Sequence, residues 1–402
     1  MQIIFRKRYF DRVKPFVGKN VIKVFTGQRR VGKSFMLLQI MEEIKSTDDS
    51  ANIIFINKED FKFNFITNSE ELFQYVESKL DSNKSNYLFI DEIQEIREFE
   101  NVLRHYHNKN SVDTYCTGSN AVMLSGELST YLSGRYVEFK IYSLSYLEFL
   151  EFNGINSNKG SLDRYLRFGG LPFLSNLPVN KVVLNEYLKG IYTTIIYKDV
   201  VGRNNIRNTG FLENLVHYLA TDVGNLISAQ KIRDYLKSQN IKTSTQNVLN
   251  YLTYLENAFL IYKVLRKDIT GKKIFEINNK YYFEDWGISN AIIGNEYFDI
   301  GKTIENLIYI NLLIAGYDVK VGKIGDKEID FVCEKDGAKI YVQASYLISN
   351  ENIKQREFGN LLKVKDNFPK YVVSLDEFPV GNFEGIKHLH LRSFLENIDE
   401  LG

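Results

Sequence analysis

Cysteine is nearly absent: Cys116 and Cys333 are the only two in 402 residues. That is too few for a disulfide framework or a thiolate metal site. Both fall in apolar, strand-like runs, so buried, reduced thiols and a reducing compartment are expected. Long apolar runs are missing as well. No window approaches the roughly 18 uninterrupted apolar residues of a membrane helix. The basic start Met1-Gln2-Ile3-Ile4-Phe5-Arg6-Lys7-Arg8 is not followed by the apolar core of a signal peptide. The expected location is the cytoplasm, with no membrane partner. Proline occurs five times, with no low-complexity linker and no internal repeat, so domains must be joined by short or helical connections. An excess of charge of either sign is lacking too, since 51 Lys and Arg face 50 Asp and Glu. The chain as a whole exerts no pull toward nucleic acid or anionic membrane, which leaves only local patches. What is present is 44% hydrophobic and 25% charged residues, the balance of a globular protein with real cores. The length corresponds to roughly two to four domains.

The most informative stretch is residues 21–34. An apolar β-type run, Val21-Ile22-Lys23-Val24-Phe25-Thr26, ends in Gly27; Gln28-Arg29-Arg30-Val31 leads to Gly32-Lys33-Ser34; and the helical-looking Phe35-Met36-Leu37-Leu38 follows. This is G-x-x-x-x-G-K-[ST] between a strand and a helix, the context the pattern requires. The glycines let backbone N–H groups turn inward on phosphate oxygens, and the helix offers the positive end of its dipole to the same anion. The stretch from Gly27 to Phe35 is therefore the expected nucleotide-binding segment. Lys33 is expected on the β- and γ-phosphates and Ser34 on Mg²⁺. The bland alternative, a Gly-rich turn with a chance lysine, does not explain strand, spacing and helix together.

Strand-like and helical runs then alternate, which implies a parallel sheet. Tyr87-Leu88-Phe89-Ile90 ends in Asp91-Glu92, with Asp91 expected on Mg²⁺ and Glu92 expected to orient and polarise the attacking water. Tyr115-Cys116-Thr117 ends in Gly118-Ser119-Asn120, where Asn120 or Ser119 is a candidate sensor of the γ-phosphate. A plain helix N-cap would select the same residue types. Arg135, just before the run Tyr136-Val137-Glu138-Phe139, is a candidate for stabilising charge on the phosphoryl group, in its own site or a neighbour's. The alternative is an ordinary surface arginine.

Taken together, Gly27 to Ser34, Phe89-Ile90-Asp91-Glu92-Ile93-Gln94, Thr117-Gly118-Ser119-Asn120-Ala121 and Leu132-Ser133-Gly134-Arg135-Tyr136 resemble a family of prokaryotic AAA-type ATPases. In that family a P-loop domain precedes a winged helix and a restriction-endonuclease-like domain. The resemblance continues through Tyr165-Leu166-Arg167-Phe168-Gly169-Gly170-Leu171-Pro172 and Tyr197-Lys198-Asp199-Val200. It implies the AAA sheet order, ATP as the nucleotide, and Arg135 as an arginine finger or sensor. Ser143 departs from it, standing where relatives often carry proline. The expected fold class is α/β: an AAA-type P-loop parallel-sheet domain (1–150), a helical connector (151–205), a winged-helix domain (206–289) and an α/β restriction-endonuclease-like domain (290–402).

Within the connector, Gly169-Gly170-Leu171-Pro172 marks a hinge or a plain loop. Lys198, Asp199 and Arg203 would contact a neighbouring module or form a solvated face. Residues 211–285 look like a winged helix. Val248, Tyr251, Leu252 and Leu255 form one apolar helix face, and Asp268 to Lys273 form the tip of a wing. The exposed face would show Gln246, Asn247, Asn250 and Thr253, which can read adenine but bring no cation for phosphate. The cations Lys263, Arg266, Lys267, Lys272 and Lys273 lie in the wing instead. Contact with duplex DNA and a protein-docking or structural role are both open. After residue 290 the order of elements is similar to a PD-(D/E)XK nuclease core. Asp330 would be the metal aspartate and Glu305 an additional ligand. Gln343-Ala344-Ser345 stands where an acid and a lysine are expected, so the site Glu305, Asp330 and Gln343 reads as degenerate, with weak or absent cleavage. The expected cofactors are ATP and Mg²⁺; the candidate partners are duplex DNA, a protein, and further copies of the chain.

Overall fold

Apolar runs separated by helices leave little choice but a sheet covered on both faces. In the computed structural model, which describes residues 4–121, 132–271, 274–294, 298–379 and 381–401, five such runs form it. They are β1 (Ile22–Thr26), β2 (Asn52–Asn57), β3 (Asn86–Asp91), β4 (Asp113–Gly118) and β5 (Tyr136–Lys140). Their order is β2-β3-β4-β1-β5, and every pairing is parallel. β1 is buried at all five positions, whereas β2 and β5, at the edges, are only partly so. The helices Lys33–Thr47, Ser69–Glu77 and Phe99–Lys109 connect the strands. The Asn68 side chain caps the second of these by accepting the Glu71 N–H. Val24, Ile54, Ile56, Leu72, Leu88, Ile90, Leu103 and Cys116 are among the side chains of one shared core. Each such side chain stabilises the fold by roughly 1.5–3 kcal/mol. Because β4 lies between β1 and β3, the loops that follow these three strands emerge side by side at the carboxyl edge.

The chain divides into two compact units, residues 1–142 with 257–259 and residues 143–256 with 260–402. Each is described by itself. The second is helical at first: Tyr146–Asn153, Lys159–Phe168, Lys181–Thr194, Thr209–Thr221, Ala229–Ser238 and Thr245–Asn257. Val248, Tyr251, Leu252 and Leu255 are the buried face of the last of these, as their spacing predicts. Next come β6 (Ile261–Asp268) and β7 (Ile274–Phe283), the helices Trp286–Ile293 and Ile300–Ile314, then β8 (Asp318–Ile324), β9 (Lys327–Lys335) and β10 (Ala338–Ala344). The helix Glu351–Leu362, β11 (Lys370–Ser374), β12 (Asn382–Phe383), β13 (Ile386–His390) and the helix Leu391–Glu396 follow. These eight strands form one mixed sheet in the order β12-β13-β11-β10-β9-β8-β6-β7.

That sheet corrects the expectation of a free wing. β6 and β7 do form a hairpin, but β6 also pairs in parallel with β8, at Arg266↔Val321 and Lys267↔Gly322. The hairpin is thus an edge of the same sheet as β8 to β13, and the expected boundary at 289 falls inside one unit. Two of the supposed wing cations are engaged within the fold. Lys267 pairs with Glu334 at 2.6 Å, and the Arg266 guanidinium lies 5.6 Å from the centre of the Phe275 ring. Lys272 and Lys273 lie outside the described residues.

Gly169-Gly170-Leu171-Pro172 is a packed crossing and not a hinge. A Cβ on Gly169 would stand 2.2 Å from Asp285 Oδ1, and one on Gly287 would stand 2.0 Å from the Phe168 carbonyl oxygen. The Gly170 N–H donates to Asp285 Oδ2 at 2.8 Å, and its carbonyl accepts the Leu144 N–H at 2.7 Å. Ser143 also finds a use: its N–H and hydroxyl both donate to Glu284 Oε1, at 2.7 and 2.9 Å. A proline there would have no N–H to give. Asp199 is buried with Arg203 3.5 Å away, while Lys198 is exposed.

Candidate functional site

β1 runs straight into the loop that carries the first candidate residues. Gly27 turns the chain at φ +141°, where a Cβ would stand 2.2 Å from the Ile141 carbonyl oxygen. Gly32, at φ +101°, is the N-cap of the helix Lys33–Thr47. Only glycine takes both conformations without strain. The amide N–H groups of the helix's first turn are unpaired donors at the positive end of its dipole. Lys33 is buried and folds back over the loop, its Nζ donating to the carbonyls of Gly27 at 3.0 Å and Gln28 at 2.9 Å. Val31 is buried, Arg29 is buried with Glu59 3.5 Å away, and Arg30 and Phe35 face solvent.

At the same edge, β3 delivers Asp91 and Glu92. The Ser34 hydroxyl hydrogen-bonds to Asp91, and the Thr117 hydroxyl donates to Asp91 Oδ1 at 2.5 Å. Burial raises the Asp91 pKa above the usual carboxylate range against those two hydrogen bonds. Burial pushes Glu92 upward too. The charges of Lys33 and Arg29, with hydrogen bonds from Gln94 and Ser119, outweigh it and hold Glu92 below its ordinary value. Glu92 therefore stays an acceptor at neutral pH. Its Oε1 lies 4.0 Å from Lys33 Nζ, and its Oε2 accepts the Ser119 hydroxyl at 3.0 Å as well as a bond from Gln94 Nε2.

The fold thus gathers Gly27 to Ser34, Asp91, Glu92 and Ser119. Asn120 is buried just beyond Ser119, but it is Ser119 that touches Glu92. Arg135 is not gathered with them. It stands just before Tyr136, which is in register with Ile22, the first residue of β1, and its carbonyl accepts the Ile22 N–H at 2.9 Å. The loop after Thr26 begins five residues beyond Ile22, roughly 16 Å along the strand. Two residues not singled out from sequence complete the site. Thr117 accepts the Glu92 N–H at 2.9 Å while it donates to Asp91, and Gln94 bonds both Glu92 and Ser119. The signal for both was position: Thr117 ends an apolar strand, and Gln94 follows Asp-Glu by two residues.

One further feature bears on what the loop holds. The Gln28 side chain is wholly buried, and neither its amide nitrogen nor its oxygen has a hydrogen-bond partner. An unmet buried amide is costly. The positive-φ glycines and the unpaired N–H groups of the helix's first turn make a cradle that fits a nucleotide phosphate chain. Ser34 and Asp91, two oxygen donors already in contact, fit Mg²⁺.

The second unit brings Glu305, Asp330 and Gln343 together in the way the sequence suggests, around a residue it did not. Lys280, from β7, is 3% exposed, and its Nζ lies 2.8 Å from Glu305 Oε1, 2.7 Å from Glu328 Oε1 and 3.1 Å from Asp330 Oδ1. Burial pulls its pKa down, yet the three carboxylates carry it well above the ordinary value. Burial raises Glu305 to about 7 against the pull of Lys280. Gln343 Oε1 accepts the Asp330 N–H at 3.2 Å, and Tyr282 donates its hydroxyl to Glu305 at 2.6 Å. The cation judged missing from β10 is supplied by β7. Strand alternation, which puts Lys280 on the face of the buried Tyr282, was the available signal. Among the described residues no group of three His, Cys, Asp or Glu side chains is arranged to hold a metal ion, and no helix is long and apolar enough to cross a membrane.

Comparison with known proteins agrees with the first sheet. Residues 19–150 match the AAA domain family, and residues 159–299 match a domain of unknown function. An uncharacterized protein of Haemophilus influenzae is 34% identical over 401 residues, 98% of each chain. An uncharacterized protein of Methanocaldococcus jannaschii is 31% identical over 361 residues, 84% of this chain and 77% of the relative. A Walker-type ATPase of Pyrococcus abyssi superposes with a TM-score of 0.52 at 14% identity, over 72% of this chain and 96% of that one. At that identity the likeness is one of fold.

Proposed function

Since the chain belongs to the same family as the Haemophilus influenzae relative and carries an AAA domain of P-loop ATPase fold, we propose that it binds ATP with Mg²⁺ and hydrolyses it, driving or gating a conformational change. The observation that carries this reading is the single carboxyl edge shared by Lys33, Ser34, Asp91 and Glu92, with Glu92 held as a carboxylate 4.0 Å from Lys33. Lys33 and the loop N–H groups bind the phosphates, and Ser34 and Asp91 hold the metal. When bound, Mg²⁺ neutralises phosphate charge. Glu92 accepts the proton of the attacking water, and Ser119 and Gln94 fix its orientation. The position of Arg135 at the amino end of β5 favours action on a neighbouring copy's site over its own.

The second unit, in this proposal, is the part that responds. Its helices and hairpin carry a winged-helix-like order, and β8, β9 and β10 a nuclease-like one. Gln343 stands where cleavage would use an acid, and Lys280 is committed to three carboxylates, so cutting is weak or absent. Lys267 and Arg266 are engaged within the unit, which favours a protein partner over duplex DNA. Steady-state ATP hydrolysis with and without duplex DNA, blanked with Glu92→Gln, tests both parts. A DNA-insensitive rate is expected; strong stimulation by DNA would favour the alternative, a nucleotide-gated DNA-binding module. No turnover above the blank under any condition would overturn the ATPase reading.

A further inference from the structure

The residue before the short helix Lys7–Val13 is remote from Gly27 to Ser34 in sequence but bonded to that loop in space. Arg6 is 3% exposed, and its Nη1 donates to two carbonyl oxygens, those of Val31 and Tyr142, each at 2.9 Å. Its backbone N–H donates to Gln39 Oε1 at 3.3 Å, and Gln39 Nε2 donates to the Ile4 carbonyl at 2.7 Å, which pins this segment to the helix Lys33–Thr47. The guanidinium also lies 4.4 Å from the centre of the Tyr9 ring, and the Tyr9 hydroxyl accepts the Tyr142 N–H at 3.2 Å. Burying a guanidinium is costly unless acceptors meet it, and here they do. Three stretches remote in sequence thus close on one side chain: residues 4–9, the loop and helix at 27–39, and residues 141–142.

We propose that Arg6 is a positioning residue for nucleotide binding, fixing the peptide between Val31 and Gly32 so that its N–H faces the phosphates. The proposal rests on the reading of Gly27 to Ser34 as a phosphate loop. A trans peptide is planar, and its C=O and N–H point in opposite directions. With the Val31 carbonyl held by Arg6, the Gly32 N–H is turned away from Arg6. Gly32 opens the helix whose first-turn N–H groups are the proposed phosphate donors. That orientation does not support itself. Arg30 at φ +68° and Gly32 at φ +101° flank Val31, both in the left-handed region. For Arg30 this is strain, which persists only where neighbours hold it. Gly32 passes easily between backbone conformations. Unheld, the peptide could turn over and present its carbonyl to an anion. The Tyr142 carbonyl supplies a fixed point. Ile141 donates its N–H to the Thr26 carbonyl at 2.8 Å, and its own carbonyl oxygen would stand 2.2 Å from a Cβ on Gly27. Residues 141 and 142 therefore wall the loop, and Arg6 ties Val31 to that wall.

The test is calorimetric binding of MgADP, which is not consumed, to the full chain well below the melting temperature of each protein. Wild type should bind. Arg6→Met keeps an unbranched side chain and loses the donors. Its affinity should fall roughly 10–100-fold, the worth of one hydrogen bond to a charged group. Arg6→Lys keeps the charge without the planar guanidinium and should fall in between. Gln39→Met cuts the other anchor of the same segment without touching Val31. It should lose stability and keep wild-type affinity. Equal affinity losses in Arg6→Met and Gln39→Met would reduce Arg6 to packing and overturn the proposal. A folded Arg6→Met that binds as tightly as wild type would also overturn it. If Arg6→Met does not fold, Arg6→Lys carries the test: binding several-fold weaker supports the proposal, and wild-type affinity overturns it. A wild type that binds neither MgADP nor MgATP would overturn the phosphate-loop reading itself, and this inference with it.

Discussion

Ser119 donates its hydroxyl to Glu92 at 3.0 Å, and the Glu92 N–H in turn donates to the hydroxyl of Thr117, two residues earlier near the end of β4. The end of β4 and the residue just after it therefore grip Glu92 at both its backbone and its carboxylate. The carboxylate thereby stands in one orientation, 4.0 Å from Lys33.

Glu92→Gln keeps the size and the Lys33-side position but removes the proton acceptor. It should bind ATP with nearly wild-type affinity and lose turnover by roughly 10²–10⁴-fold. Calorimetric nucleotide binding and phosphate release, measured on one preparation, check this. Normal turnover would mean that another group accepts the proton.

Thr117→Val is nearly isosteric but removes the bridge between Asp91 and Glu92. A buried N–H and a buried carboxylate each lose a partner, so about 1–3 kcal/mol of stability should go. Turnover should fall more than ATP affinity. Urea unfolding and a kcat against KM comparison separate the two effects. An unchanged kcat would show that the Thr117 bridge is structural only.

Arg135 sits at the amino end of β5, by the start of β1, so its action is expected in a neighbouring copy. Arg135→Ala and Glu92→Gln should each be inactive alone. Mixed together, they should regain part of the wild-type rate, because some sites then pair an intact Glu92 with an intact Arg135. A mixture that stays inactive, or an Arg135→Ala protein with full activity, would count against the assignment.

Asp285 is buried where Gly169, Gly170 and Gly287 meet, and burial raises its pKa from an ordinary 3.8 to about 6 despite N–H donors from Gly170 and Ile288. A carboxyl raised in the folded state binds its proton more tightly there than when unfolded. Its contribution to stability is therefore complete below about 3.8 and is lost as pH rises through about 6. Asp285→Asn should flatten that part of the profile relative to wild type. Urea midpoints between these two values measure it, and parallel profiles for the two proteins would sink the idea.

Much of the candidate nucleotide site could be read from sequence because the chemistry proposed for it is local. Gly27, Gly32, Lys33 and Ser34 lie within eight consecutive residues, and Asp91-Glu92 ends a strand whose apolar run announces it. Phosphate binding needs glycine conformations, a lysine and a helix start in one unbroken stretch, so neighbours in sequence are neighbours in space. The apolar face of Thr245–Asn257 was legible for the same reason, since helical periodicity is a property of consecutive residues. Pairing between strands is not local. Nothing in β6 announces that it will pair with β8 across more than fifty residues, so a hairpin read as a wing became a sheet edge. Nothing near Gln343 announces that Lys280 will fill the acidic cluster from β7. By itself the sequence determined the strand–loop–helix around Gly27 to Ser34 and the buried face of helices such as Thr245–Asn257. Only the tertiary structure decided which distant strands pair, where Arg135 stands, and which cation holds Glu305, Glu328 and Asp330 together. Those outcomes depend on backbone hydrogen bonds and buried charges closing over long loops, which no window of consecutive residues contains.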